Sequence, residues 1–152
     1  MLTKNGRAAL KITYMATPQM RFKISNGSDV NVDSNSGAFG NTMSSVTILL
    51  GTTQNPTEPN QDDYAMDNID SSLTVVSNSS TVNDTKRYES NTILTYTRTV
   101  RNDTDADITV TEIGLVLYPN GGSNYSLLAR EVLEKPVTVT PGETVAFTLA
   151  MG

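Results

Sequence analysis

Acidic side chains are the main candidates for chemistry in this chain, because it contains no histidine and no cysteine. Those two absences remove the commonest general base, the thiol nucleophile, and imidazole and thiolate metal sites. Glu58, Asp62, Asp63, Asp67 and Asp70 crowd into one short stretch. Such a cluster would suit calcium, a hard cation that takes loop carboxylates and carbonyls. The stretch lacks the spaced ligands and closing glutamate of an EF-hand loop, so its spacing favours a solvated acidic loop. Asp103, Asp105 and Asp107 fall where a hairpin turn is expected between two strands, and an exposed turn accounts for them. Two carboxylates facing each other could hydrolyse a glycosidic bond. No such pair can be placed across a cleft, and with aromatic residues making up only 6% of the chain a sugar-stacking groove is hard to build. No catalytic, cofactor-binding or metal-binding residue is therefore assigned, and the chain is expected not to be an enzyme.

One charged couple invites a structural reading. Glu112 lies in an otherwise apolar run and Arg130 in the next one, LLAREVL. They either pair across a sheet as a charge-assisted salt bridge or both face solvent. Gly121 and Gly122 follow Pro119 and Asn120 without a downstream Lys-Ser or Lys-Thr, so they mark a turn rather than a phosphate loop. Glycosylation sequons at Asn26, Asn78, Asn83, Asn102 and Asn124 reflect an abundance of Asn, Ser and Thr, since no secretory leader is recognisable.

The elements that must position these groups are strands. Val145, Phe147, Leu149 and Met151 alternate with small or polar residues, which gives one apolar face. Val137 and Val139 alternate before Pro141-Gly142, so 137–151 is expected to be a hairpin. Leu94, Tyr96 and Val100 share a face with Arg98, while Thr95, Thr97 and Thr99 line the other. From Ile108 to Leu117 the pattern changes phase, and a bulge near Glu112 and Gly114, or a swap of faces, would reconcile its two halves. Shorter alternating runs occur at 20–24, 46–50 and 73–77. Pro56 and Pro59 forbid a regular ladder in 51–70, which reads as a crossing loop with a helical turn near Tyr64 and Met66. Residues 26–45 are polar and glycine-rich and are expected to be a long loop. At the start, 1–17 forms an arm or short helix, since Leu10, Ile12 and Tyr14 alternate while Ala8, Ala9, Ile12 and Met15 suit a helix.

Seven or eight strands with long polar loops predict an all-β fold, an antiparallel two-sheet sandwich or jelly roll. A chain of 152 residues fits one domain over 1–152. Its net charge of −5, with no run among the 11 basic residues, argues against nucleic acid as a partner. No stretch approaches the roughly 18 apolar residues of a membrane helix, so no membrane partner is expected.

Two blocks carry a resemblance. Gly51, Thr52, Thr53, Asp63, Tyr64 and Ala65 belong to the first, GTTQNPTEPNQDDYAM. The second holds Glu112, Ile113, Gly114 and Leu115, then Leu128, Ala129 and Arg130, then Pro141, Gly142 and Glu143. Together they resemble small β-rich virion structural proteins of tailed bacteriophages. The resemblance implies a virion part made in a bacterial host and assembled with other virion proteins, as a homo-oligomer or held in a lattice. Its first expectation is a decoration, cement or head-fibre protein on the capsid surface. A tail, neck or receptor-binding fibre component comes second; a carbohydrate-binding module or small enzyme, which the resemblance does not imply, stands third. Residues 1–17 and 26–45 are expected to touch the neighbours.

Overall fold

A computed structural model describes residues 1–6, 19–33, 46–82, 94–118 and 123–151. Eight strands follow one another: β1 (Gln19–Lys23), β2 (Asp29–Asp33), β3 (Val46–Gly51), β4 (Thr74–Val82), β5 (Leu94–Arg101), β6 (Ile108–Leu117), β7 (Ser126–Val139) and β8 (Thr144–Met151). All pairings are antiparallel. β1 and β2 form a small hairpin, and the others build two three-stranded sheets ordered β3-β6-β7 and β4-β5-β8. The fold is thus an all-β two-sheet sandwich.

The strand orders have a simple origin. Three double-length legs, β3–β4, β5–β6 and β7–β8, lie side by side as an antiparallel ribbon. The ribbon is folded across its middle, so that each leg contributes one strand to each sheet. Apolar side chains on the inner faces then meet: Ile48 and Leu50 of β3, Val110, Ile113, Leu115 and Leu117 of β6, Val100 of β5, and Phe147 and Leu149 of β8. Burying such a face supplies the drive for folding over, at roughly 25 cal/mol per Å² of apolar surface.

This arrangement corrects the expected hairpin over 137–151. The turn itself is present: Glu143 N–H donates to Thr140 O (2.9 Å), and Gly142 takes a φ of 82° that a Cβ would strain. Its flanking strands nevertheless enter opposite sheets, β7 beside β6 and β8 beside β5. Local turn chemistry bends the chain, but the partner of each strand is decided by which face must be buried. Asp103, Asp105 and Asp107 likewise sit not in a hairpin turn but in the corner by which β5 crosses to β6.

Asn102 holds that corner and is fully buried. Its Nδ2 donates to Val139 O (2.7 Å) and Ala106 O (2.8 Å), and its Oδ1 accepts from Thr104 N–H and Thr104 Oγ1. Its backbone N–H donates to Glu143 O and its carbonyl accepts from Gly142 N–H. One residue thereby fastens two crossings. The same burial leaves no room for a glycan on the Asn102 sequon.

The phase change in β6 has two causes. Pairing with β7 shifts register between Val110 and Glu112, so Val110 and Ile113 both face the inter-sheet core. Beyond the shift both faces are buried, because 52–73 returns over the outside of the sheet. There Met66 packs with Val116, Tyr125 and Leu127. A Cβ at Gly114 would collide with Met66 Sδ, so glycine is what lets the loop lie this close. No helical turn forms at Tyr64 and Met66; a turn closes at Asn60–Asp63 instead.

The chain's start is helical at 4–6, and part of the polar stretch after β1 departs from expectation. Residues 1–6 dock on their own chain: Leu2 bridges Ala129 antiparallel, Thr3 N–H donates to Leu128 O (2.9 Å), and Asn5 exchanges side-chain bonds with the backbone of Lys23. The stretch 7–17 of the proposed arm lies outside the described residues. Within 26–45, residues 29–33 are strand β2 rather than loop, because Asp29–Asp33 pairs with Lys23–Gln19; 34–45 lies outside the described residues.

Candidate functional site

Among the described residues the densest polar cluster lies on the outer face of the β3-β6-β7 sheet. Arg130 stands opposite Gly114 in the ladder, and Glu112 sits two residues along β6 on the same face. The missing side chain at Gly114 leaves the diagonal open. The Arg130 guanidinium crosses it, with Nε 2.7 Å and Nη2 2.6 Å from Glu112 Oε2. Its other bonds reach into the covering loop: Nη1 to Asp63 Oδ2 (2.9 Å) and Nη2 to Thr57 O (3.0 Å). The side chains of Arg130 and Glu112 are 7% and 1% exposed.

The structure therefore brings Glu112 and Arg130 together, with Asp63 from the acidic stretch as a third member. Burial works against the charge on Arg130, but the bonds from Asp63 and Glu112 outweigh it and raise the guanidinium above its ordinary pKa. Gly51 closes the cluster from β3, where a Cβ would run into Glu112 Cγ. Glu112 Oε1 is buried without a partner among the described residues. A buried pair of this kind contributes little net stability against an apolar replacement, yet removing one partner strands a charge in the interior.

The other acidic residues serve separate tasks. Asp62 pairs with Lys4 at the surface. Asp70 caps the entry to β4, accepting from Ser72 N–H and Leu73 N–H. Glu58 and Asp67 are exposed. Among the described residues no group of three or more Asp or Glu is placed to hold a metal ion. In the corner, Asp103 accepts two bonds from Arg101 (2.6 and 3.1 Å), and these, helped by Thr74, lower its carboxyl to about 2.

An open cleft of about 500 Å³ lies beside the loop, lined by Lys4, Asn5, Lys23, Gln61, Asp62, Asp63 and Tyr64. Its polar side chains already serve the fold. Lys23 Nζ sits 4.8 Å from the Tyr64 ring centroid, and Lys4 and Asn5 hold Asp62 and β1. Among the described residues nothing here combines a nucleophile with a base. What the cluster does chemically is hold a buried cation between two carboxylates and tie a loop to a sheet.

Two participants escaped sequence reasoning. Asp63 stood among five similar carboxylates, distinguished only by its place beside Tyr64 and Ala65 in the first block of the resemblance. Asn102 was visible only as a sequon. No family model, curated protein or solved structure matches the chain.

Proposed function

We propose that this chain is a non-enzymatic structural protein of a tailed-bacteriophage virion, carried on the capsid surface as a decoration, cement or head-fibre-associated protein. One observation supports the reading above others. The residues that carry the resemblance lie in distant parts of the chain, yet Gly51, Asp63, Glu112, Gly114 and Arg130 pack into one buried cluster. Pro141, Gly142 and Glu143 form the corner beside Asn102. The residues on which the resemblance rests thus encode a scaffold, a sheet with a loop fastened over it. A scaffold with no reaction centre among the described residues fits an assembly component, whose affinity comes from repeated contacts in a symmetric lattice. Its partners on this reading are the major capsid protein or other virion proteins.

Binding of the purified protein to capsids that lack it tests the reading, with the temperature of particle disruption followed in parallel. Saturable binding that raises the disruption temperature is the expected result. Recovery on tails or neck instead would replace the capsid surface with the second location, and absence from every particle fraction would reject a virion role.

A further inference from the structure

We infer that β4 is a self-pairing edge, through which two copies of this chain join their β4-β5-β8 sheets across a two-fold axis. Among the described residues β4 is the outermost strand of its sheet. The facing sheet packs chiefly on β5 and β8, which leaves β4 at the margin of the sandwich. Every side chain described along it, from Thr74 to Ser80, is exposed, including Val75 at 39% and Val76 at 51%. A groove of about 180 Å³ runs beneath this margin between Val46–Ile48 and Asn78–Ser80.

Free edges are usually blunted by lysine, proline or short length. The β7 edge follows that rule, with Glu134, Lys135 and Pro136 along it and Leu2 bridged to Ala129. β4 does not. Its nine residues, TVVSNSSTV, contain no charge and no proline; the β3 and β8 edges also lack both, but their alternate side chains are buried in the core, whereas every side chain described along β4 is exposed. Its only irregularity is the register shift between Val75 and Ser77, which leaves Ser77–Val82 a regular ladder.

The occupant follows from charge. Each copy carries a net −5, so identical copies repel wherever acidic surfaces meet, and least where a strand carries no charge. A basic partner would find no carboxylate on β4 to select it. Two-fold symmetry makes the paired strands antiparallel, the sense already used throughout these sheets. Centred on Ser79, the regular segment pairs with itself: Ser77 opposite the partner's Thr81, and Asn78 opposite the partner's Ser80. The product is one continuous six-stranded sheet, and it does not depend on the virion reading.

The test uses the full chain. Sedimentation velocity across a concentration series is expected to show a reversible monomer–dimer equilibrium. Ser79→Lys sets two lysines face to face at the axis and is expected to weaken the dimer at least tenfold. Ala146→Lys, on the exposed side of β8 at the other edge, is expected to leave it unchanged. Unaltered cooperative melting of both variants separates lost pairing from lost folding. Because the chain has no cysteine, Ser79→Cys introduces a lone thiol. Directly opposite residues lie about 4.5–5.5 Å apart at Cα, within disulfide reach, so mild oxidation should capture the dimer. A chain that stays monomeric throughout, or dimers indifferent to Ser79→Lys, would overturn the inference. Efficient mixed disulfides between Ser79→Cys and Ala146→Cys chains would overturn it too, since they indicate head-to-tail sheets.

Discussion

Arg130 shows how much one buried side chain can organise. Its guanidinium satisfies a carboxylate on its own sheet and both a carboxylate and a carbonyl on the loop above. Arg130→Met removes that charge and leaves Glu112 without its partner in the interior, which is expected to cost about 3–5 kcal/mol. In a Glu112→Gln background the same change should cost at least about 1 kcal/mol less, since the unpartnered carboxyl is gone. Urea denaturation of the four proteins checks this, and additive costs would mean that the two residues are not energetically paired. Arg130→Lys should not rescue, because an ammonium lacks the planar fork that reaches both carboxylates.

Among elements, the corners matter more than the strands. A strand of alternating residues will pair with almost any neighbour that buries its apolar face, so the crossings decide which sheet it joins. Asn102 serves both crossings at once, through Thr104 and Ala106 in its own corner and through Val139, Gly142 and Glu143 in the other. Asn102→Ala leaves Val139 O without its donor and Thr104 N–H without its acceptor, and is expected to cost about 2–4 kcal/mol. Asn102→Asp should fare little better, because a carboxylate cannot donate to either carbonyl. A urea midpoint close to that of the parent chain for either variant would show that the apolar faces alone fold the ribbon.

Over the whole molecule, loop 52–67 behaves as a strap across the outer face of one sheet. Arg130 binds it at Thr57 and Asp63, Lys4 N–H donates to Gln61 O, and Met66 N–H donates to the Tyr125 hydroxyl at 3.0 Å. Burial in this contact raises the Tyr125 hydroxyl above its ordinary pKa, against the opposing effect of the Met66 bond. Tyr125→Phe removes one fastening and leaves the packing in place. Hydrogen exchange near Met66 is expected to quicken by about tenfold, with β5 and β8 unchanged, since local opening draws on fewer contacts than global unfolding. A uniform rise across the chain would show that the strap opens only when everything does.

Sequence alone determined the period-2 strands, because alternation is a local property of a pleated backbone and survives without knowledge of partners. It also determined the turn at Pro141-Gly142 and the interruption of β6, for the same local reason. Glu112 and Arg130 could be singled out as a couple, since charges in apolar strands need an explanation wherever the strands go. Their third partner could not be chosen, because which carboxylate in 51–70 reaches Arg130 depends on a loop path across 67 residues of separation. Strand partnership, the corner at Asn102, the docking of residues 1–6 and the place of β4 at the margin of its sheet among the described strands were likewise decided only by tertiary structure. Each depends on which surfaces meet when the ribbon folds over, and that is a property of the whole buried interface rather than of any segment within it.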